Sequence, residues 1–454
     1  MRLPNPRGVY APRDELERNR QIEAADRQNH KRGRDVEIGE ARLILTSEDG
    51  ARYEVGITED GLLQVLTIDG EIVANLNQSL FDEVKVTERT PVITLNAGFG
   101  VSVLRDITTV AGTGEITLTG GEILLSTGAT ASSVATLESA KLGTYIPGNS
   151  SQIGIGIRIP TAPTGNQFAR WGGLNSGGTD GFYFGVDATG FFVSRLDNSV
   201  ETKIRPADFN GDKLDGTGPS GVTLDLAKGY IFHVDYAYYG HGPIVFSVAR
   251  FLNGRNTWIK FHTIEVDNAV SVRDPNLAVY ATVNNGGDAA DLDAYIGGRQ
   301  YSILGKYLPN RRVTGQERGS VATSTTATPL ITFRRKSGFS NRSVILDGFT
   351  VDVGSQPVVV EVRINGTLTS ASYAAPANVT AAETALEVDV SATAISGGEV
   401  VWSAYFAAGS GANTVTDRAT LGLDIPREQP VTLCVRTLSG AGTIFSHMLM
   451  AEEW

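Results

Sequence analysis

Residues 209–251 read FNGDKLDGTGPSGVTLDLAKGYIFHVDYAYYGHGPIVFSVARF, and this stretch restricts the possible fold more than any other. Gly211, Gly216, Gly218 and Gly221, with Pro219 among them, exclude a helix from its first half. Glycine keeps too much backbone freedom there, and proline lacks the amide donor. Two aromatic and β-branched runs follow, 230–238 and 244–251, parted by Gly240, Gly242 and Pro243. Val, Ile, Tyr and Phe at this density suit a pleated surface. The expectation is a long loop feeding a buried antiparallel pair.

The same grammar extends to both sides. From residue 91 onward come VITL, ITLTG, EILLS, IGIGIRI, GFYFGVD, GFFVSRL, YIFHVDY, IVFSVARF, TWIKFHTIEV, LAVYATV and DAYIGGRQY. Turn signals part them at spacings near the roughly 8–12 residues of sandwich proteins. Residues 91–307 therefore read as one large antiparallel β-sandwich of jelly-roll type. Residues 308–329 are polar, rich in Thr, Ser and Arg, and read as a linker. Strand patterns resume over 330–454 as a second, smaller sandwich. Its last strand is expected to pack through Phe445, Met448 and Met450.

The N-terminus differs. Residues 13–32 (RDELERNRQIEAADRQNHKR) hold the one convincing helical signal, free of Gly and Pro and closed by Gly33. Apolar residues are sparse, and a lone helix of this kind is marginal in water. It needs a partner surface or copies of itself, or else it is a solvated arm. Residues 1–35 thus read as a helical anchoring or oligomerisation arm, with Leu16, Arg18, Arg20, Ile22, Arg27 and Asn29 as its candidate assembly residues. Residues 36–90 read as a small β-hairpin connector, with Asp49-Gly50, Asp60-Gly61 and Asp69-Gly70 in the turns. Over 74–90 a short helix and a loop both stay open. The fold class expected for the whole is all-β: tandem antiparallel sandwiches behind a short helix and a hairpin module.

Composition excludes several function classes. A net charge of −11 over 454 residues argues against a nucleic-acid binder, which would show a basic surface. No apolar run approaches the roughly 18 residues that span a bilayer, so membrane insertion is not expected. The charged first residues lack an apolar core of signal-peptide type, and synthesis in a cytoplasm is expected. Cys434 is the single cysteine, which rules out an internal disulfide and a cysteine-rich zinc site.

Catalytic patterns are equally thin. His30, His233, His241, His262 and His447 fall in no spacing that zinc or a nucleophile–base pair demands. The run Asp208, Asn210, Asp212 and Asp215 suggests calcium, yet Lys213 stands where such a loop needs glycine and Pro219 where it needs a bidentate Glu. A solvated turn is preferred. No cofactor, no metal and no catalytic residue are expected, and the chain reads as a non-enzyme. Tyr230, Phe232, Tyr236 and Tyr238 alternate onto one face, the pattern of a core. Tyr236 and Tyr239 are kept as candidates for carbohydrate contact.

Residues 18–55 (RNRQIEAADRQNHKRGRDVEIGEARLILTSEDGARYEV) resemble the N-terminal segment of tail fibres from tailed bacteriophages. GDKLDGTGPSGVTLDLAKGYIFHVDYAYYGHGPIVFSV is similar to a jelly-roll domain of phage virion proteins, and SATAISGGEVVWSAYF to their terminal sandwich. The resemblance implies a virion structural protein, a fibre, spike or fibre-adaptor subunit held by its N-terminus and pointing β domains at the host. It implies a homotrimer, other virion proteins as partners, and host surface glycans as possible ligands. A head or collar fibre with carbohydrate-binding jelly rolls is the alternative, and a polysaccharide depolymerase a more distant one.

Overall fold

The computed structural model of the protein describes Arg20, 43–46, 52–57, 63–67, 72–75 and 89–453, apart from 238, 253–254, 307–309, 340–341, 416–424, 426 and 428. The chain forms two compact units, Met1–Lys85 and Val86–Trp454. In the first, β1 (Leu43–Thr46), β2 (Arg52–Ile57), β3 (Leu63–Thr67) and β4 (Ile72–Asn75) form an antiparallel sheet in sequence order. Thr46 pairs with Arg52 and Ile57 with Leu63, so the first two hairpins bracket the expected Asp-Gly sites. Of the helix expected over 13–32, only Arg20 is described, and it is helical and exposed. Leu16, Arg18, Ile22, Arg27 and Asn29 lie outside the described residues, as do the three Asp-Gly turns and 76–88.

The second unit opens with β5 (Arg89–Leu95), β6 (Asp106–Ala111), β7 (Glu115–Thr119), β8 (Glu122–Ser126), β9 (Val134–Ser139), β10 (Ser150–Arg158) and β11 (Phe168–Leu174). It continues through β12 (Gly181–Asp187), β13 (Gly190–Asp197), β14 (Val200–Ile204), β15 (Tyr230–Ala237), β16 (Ile244–Leu252), β17 (Arg255–Ile264), β18 (Ala278–Asn284) and β19 (Asp293–Leu304). These build two antiparallel sheets. One has eight strands in the order β17-β16-β15-β10-β19-β8-β7, with β5 also on β19; the other has seven, β14-β13-β12-β11-β18-β9-β6. The fold is all-β and a sandwich, as the turn spacing predicts.

Aromatic rings close the gap between the sheets. Trp171 on β11 meets Phe232 on β15 edge-on, with centroids 5.2 Å apart, and Phe184 meets Phe246 at 5.3 Å and 89°. All four are 0–1% exposed. Such pairs add about 0.5–1.5 kcal/mol beyond the area they bury. The expected face of Tyr230, Phe232 and Tyr236 is indeed the core face, at 6%, 0% and 1% exposure.

Strands β6, β9, β11 and β14 were not apparent in the sequence. In β11, FARWGGL, the glycine pair imitates a turn. A Cβ on Gly173 would stand 2.3 Å from Ile153 Cδ1, so this glycine serves sheet-to-sheet packing instead. Strands β6 and β14 are the exposed edges of the seven-stranded sheet, and β9 buries one face only, so all three are rich in Thr, Ser and Glu.

The rest forms a second sandwich from β20 (Arg311–Thr323), β21 (Thr328–Arg335), β22 (Val344–Val353), β23 (Val358–Ile364), β24 (Thr367–Thr369) and β25 (Leu386–Asp389). It ends with β26 (Ala394–Ser396), β27 (Glu399–Phe406), β28 (Gly411–Val415), β29 (Val431–Thr437) and β30 (Gly442–Glu453). A four-stranded sheet, β20-β30-β22-β28, faces a five-stranded one, β25-β21-β29-β23-β27. Two expectations are corrected here. The supposed linker 308–329 carries β20, a strand of 13 residues paired along β30. Its polar side chains engage the buried carboxylates at the end of β30: Thr314 Oγ1 donates to Glu452 at 2.6 Å and Arg311 meets Glu453 at 2.7 Å. In β30, Met448 and Met450 are buried but Phe445 is 51% exposed, because an odd-numbered residue falls on the other face.

Candidate functional site

The outer face of the eight-stranded sheet carries the arrangement best suited to a ligand. Register places Trp258 (β17) opposite Ala249 (β16), Ala249 opposite Ile231 (β15), and Ile231 opposite Gly156 (β10). At β19 the register slips between Ile155 and Ile157, so that Gly297 and Gly298 together face Gly156. This β-bulge adds a second glycine to the floor. A Cβ on Gly298 would meet nothing within 4 Å, and one on Gly156 would touch only backbone at 3.8 Å. The row is therefore a strip bare of side chains at one end. It carries two exposed apolar residues, Trp258 at 42% and Ile231 at 51%.

The neighbouring row supplies polarity. Lys260 lies opposite Ser247, Ser247 opposite His233, His233 opposite Gly154, and Gly154 opposite Gln300. The His233 ring lies under the Trp258 indole, with centroids 3.7 Å apart at 22°, and this holds the indole in place. Gln152 donates from Nε2 to Asp235 Oδ1 at 2.7 Å, and Gln300 donates to Gln152 Oε1 at 3.4 Å. Past the bare end, the Arg158 guanidinium lies 3.7 Å over the Tyr295 ring and holds Glu122 through Nε and Nη2. Glu122 in turn raises the Arg158 pKa, outweighing partial burial. Ser247, His233, Gln152 and Asp235 are buried, at 7%, 5%, 4% and 8% exposure, so they stiffen the face. Trp258, Lys260 and the half-exposed Gln300, Arg158 and Glu122 are the groups that can meet a hydroxyl-rich molecule.

A second feature belongs to the long loop. A cavity of about 490 Å³ is lined by Ile159, Pro160, Val186, Phe191, Pro206, Lys213, Leu214, Asp215 and 223–227. The Lys213 ammonium is engaged with the Ala207 and Phe209 carbonyls at 2.7 and 2.5 Å. The expected solvated turn is corrected at one residue. Asp212 is 4% exposed, and its two oxygens accept the Leu214 and Ser220 amides at 2.8 and 2.7 Å. Burial pushes its pKa up, but the amide bonds outweigh this and hold it below the usual carboxylate range. The loop is wound around its own carboxylate.

The sequence candidates fare differently. Tyr236 is 1% exposed; its hydroxyl bonds the Pro275 carbonyl at 2.8 Å and the Tyr301 hydroxyl at 3.1 Å, so it cannot touch a glycan. Tyr239 is 63% exposed with φ of 39°, and its amide donates to the Tyr145 hydroxyl at 3.3 Å. Neither belongs to the strip. His262 is buried, with Nδ1 accepting the Asn210 amide at 3.3 Å, and burial lowers its pKa. Cys434 is fully buried, and burial pushes its thiol up to about 12. Trp258 and Ile231 were missed. One signal was available: in YIFHVDY and TWIKFH both residues alternate with core positions, and a large apolar residue on the solvent parity is unusual.

No protein-family profile and no curated protein matches the chain. Similar solved structures include a legume lectin-like domain from Entamoeba histolytica, 11% identical with a TM-score of 0.27, over 44% of this chain and 90% of that one. The CBM2 module of the evolved Dit of Lactobacillus casei BL23 phage J-1 is 13% identical with a TM-score of 0.34, over 49% and 99%. A carbohydrate esterase from Shiga toxin-encoding bacteriophage phi24B is 16% identical with a TM-score of 0.28, over 48% and 99%. Likenesses at this level carry no functional argument.

Proposed function

We propose that the chain is a bacteriophage virion subunit of fibre or spike type that holds a surface glycan on the outer face of its eight-stranded sheet. One observation carries the binding half of this reading. Trp258 stands 42% exposed on the outer sheet face, fixed by the His233 ring 3.7 Å beneath it. Sugar rings present C–H groups on one face and hydroxyls at the edge. An immobilised indole with the exposed Lys260 and the half-exposed Gln300 in the adjoining row is complementary to both. The reading is attachment and not hydrolysis: Glu122 is held by Arg158 and Asp235 by Gln152.

The virion half rests on the resemblance of residues 18–55 and 209–251. In this reading residues 1–35 anchor a homotrimer to the particle through Leu16, Arg18, Arg20, Ile22, Arg27 and Asn29. Residues 36–90 connect, and the two sandwiches project.

Two experiments separate the halves. Titration of host envelope polysaccharide into the full chain should quench tryptophan fluorescence, and Trp258→Ala should weaken binding by about tenfold or more. Unchanged affinity in Trp258→Ala would remove the strip as the site. Deleting residues 1–35 should abolish incorporation into particles while leaving polysaccharide binding intact. Normal incorporation would remove the anchor.

A further inference from the structure

The shape of the strip also bears on which part of a glycan it takes. We infer that the ligand is an internal segment of an extended polysaccharide lying across the strands, not a terminal sugar; this rests on the glycan-binding reading above. A terminal sugar is held by a walled pocket that surrounds it. Here the row from Trp258 to Gly298 crosses five strands, and the Arg158–Tyr295–Glu122 cluster stands beyond its glycine end instead of closing around one sugar.

Trp258 and Ile231 are exposed, Ala249 and Gly156 are half-exposed, and Gly298 is open. The row crosses β17, β16, β15, β10 and β19, four inter-strand steps. At about 4.8 Å a step that is about 19 Å, enough for several sugar rings in line. The second row runs parallel to the first, and its Lys260 on β17 and Gln300 on β19 can reach hydroxyls near the two ends of a chain that spans the strip. The glycines matter for the same reason. Three of them, Gly156, Gly297 and Gly298, meet where β10 and β19 pair, and any side chain there would rise into the path. Gly156 and Gly298 have no positive φ, so the backbone does not require glycine at either position.

That last point supplies the test. Gly298→Leu and Gly156→Leu place a side chain on the strip without strain and without touching Trp258. Cello-, malto-, chito-, xylo- and manno-oligosaccharides, each from the monosaccharide to the hexasaccharide, are titrated against the full chain. Acid-hydrolysed size fractions of the host envelope polysaccharide are run beside them.

The expected result is affinity that climbs with chain length. Both leucine variants should lose about tenfold or more for the long members and keep any weak affinity for the short ones. A monosaccharide that binds as tightly as its polymer, with both variants unaffected, would overturn the extended-chain inference and leave the glycan-binding reading intact. Absence of binding in every series and in the size fractions, with tryptophan fluorescence unmoved, would overturn both.

Discussion

Arg299 on β19 and Asp106 on β6 meet at 2.6 Å with side chains each 1% exposed, and they belong to different sheets of the first sandwich. The contact bolts the sheets together at the end where β5 also joins β19. Its geometry is incomplete. Among the described residues Arg299 Nε and Nη1 have no partner, while Asp106 also accepts the Ser102 amide at 3.0 Å. Burial lowers the Arg299 pKa, and Asp106 only partly restores it. A pair in this state adds little net stability, but removing one partner strands the other's charge.

Asp106→Ala is therefore expected to cost about 3–5 kcal/mol, read as a lower midpoint in urea. The double replacement Asp106→Leu with Arg299→Met should recover most of that loss, since no charge then remains buried. If the double variant is as unstable as the single one, packing and not charge explains the defect.

Glycine was the least transparent residue in the sequence, and Gly143 shows why. A Cβ there would stand 2.1–2.4 Å from the Tyr301 ring. That ring cannot move aside easily, because its hydroxyl bonds Ser151 at 2.9 Å and Tyr236 at 3.1 Å. Gly143→Ala should cost about 1–3 kcal/mol by overpacking. Tyr301→Phe keeps the ring and should cost about 1 kcal/mol through its lost hydrogen bonds. Equal midpoints for Gly143→Ala and wild type would show that the ring does yield.

What could be read in advance follows from what alternation encodes. The all-β class, the hairpin module and the aromatic core face were visible because their side chains repeat every second residue. Strand β20 was not, because a polar strand beside Glu452 and Glu453 looks like a linker until its partners are known. The strip was hidden for a related reason. Its glycines lie in two strands distant in sequence, and only the register of β10 on β19 brings Gly156 to Gly297 and Gly298.

A different ion pair ties the two sandwiches to each other. Arg427, 2% exposed, reaches Glu138 of β9 at 2.6 Å, and Gln429 donates to the Val103 carbonyl at 3.0 Å. Leu104 packs against the second core. Arg427→Ala should cost less than the about 3–5 kcal/mol of a fully buried pair, because Glu138 stays 20% exposed. Its clearer effect should be on cooperativity. Calorimetry of the variant is expected to resolve two transitions where the wild type gives one, and a single unshifted transition would mean that the sandwiches do not couple through this pair.

His262 ties the long loop to β17 and makes the loop sensitive to acid. Its Nδ1 accepts the Asn210 amide at 3.3 Å, which requires the neutral ring. Burial depresses its pKa, the Lys213 charge adds to this, and the Phe209 and Phe246 rings on either side supply no counter-charge. With the folded pKa below the unfolded value of about 6.5, the unfolded chain takes up the proton first as pH falls. The stabilisation is fully present above about pH 6.5 and is lost on acidification toward the folded pKa. Melting temperature should thus fall between about pH 7.5 and 5.5. His262→Asn keeps an acceptor near the Nδ1 position but cannot titrate, so it should flatten that part of the profile. A variant profile parallel to the wild type would assign the acid sensitivity elsewhere. The flattened profile would establish that an uncharged imidazole helps to hold the loop that opens the 209–251 stretch against β17, beside the bonds of Gly211 to Phe261 and of Asn210 to Thr263.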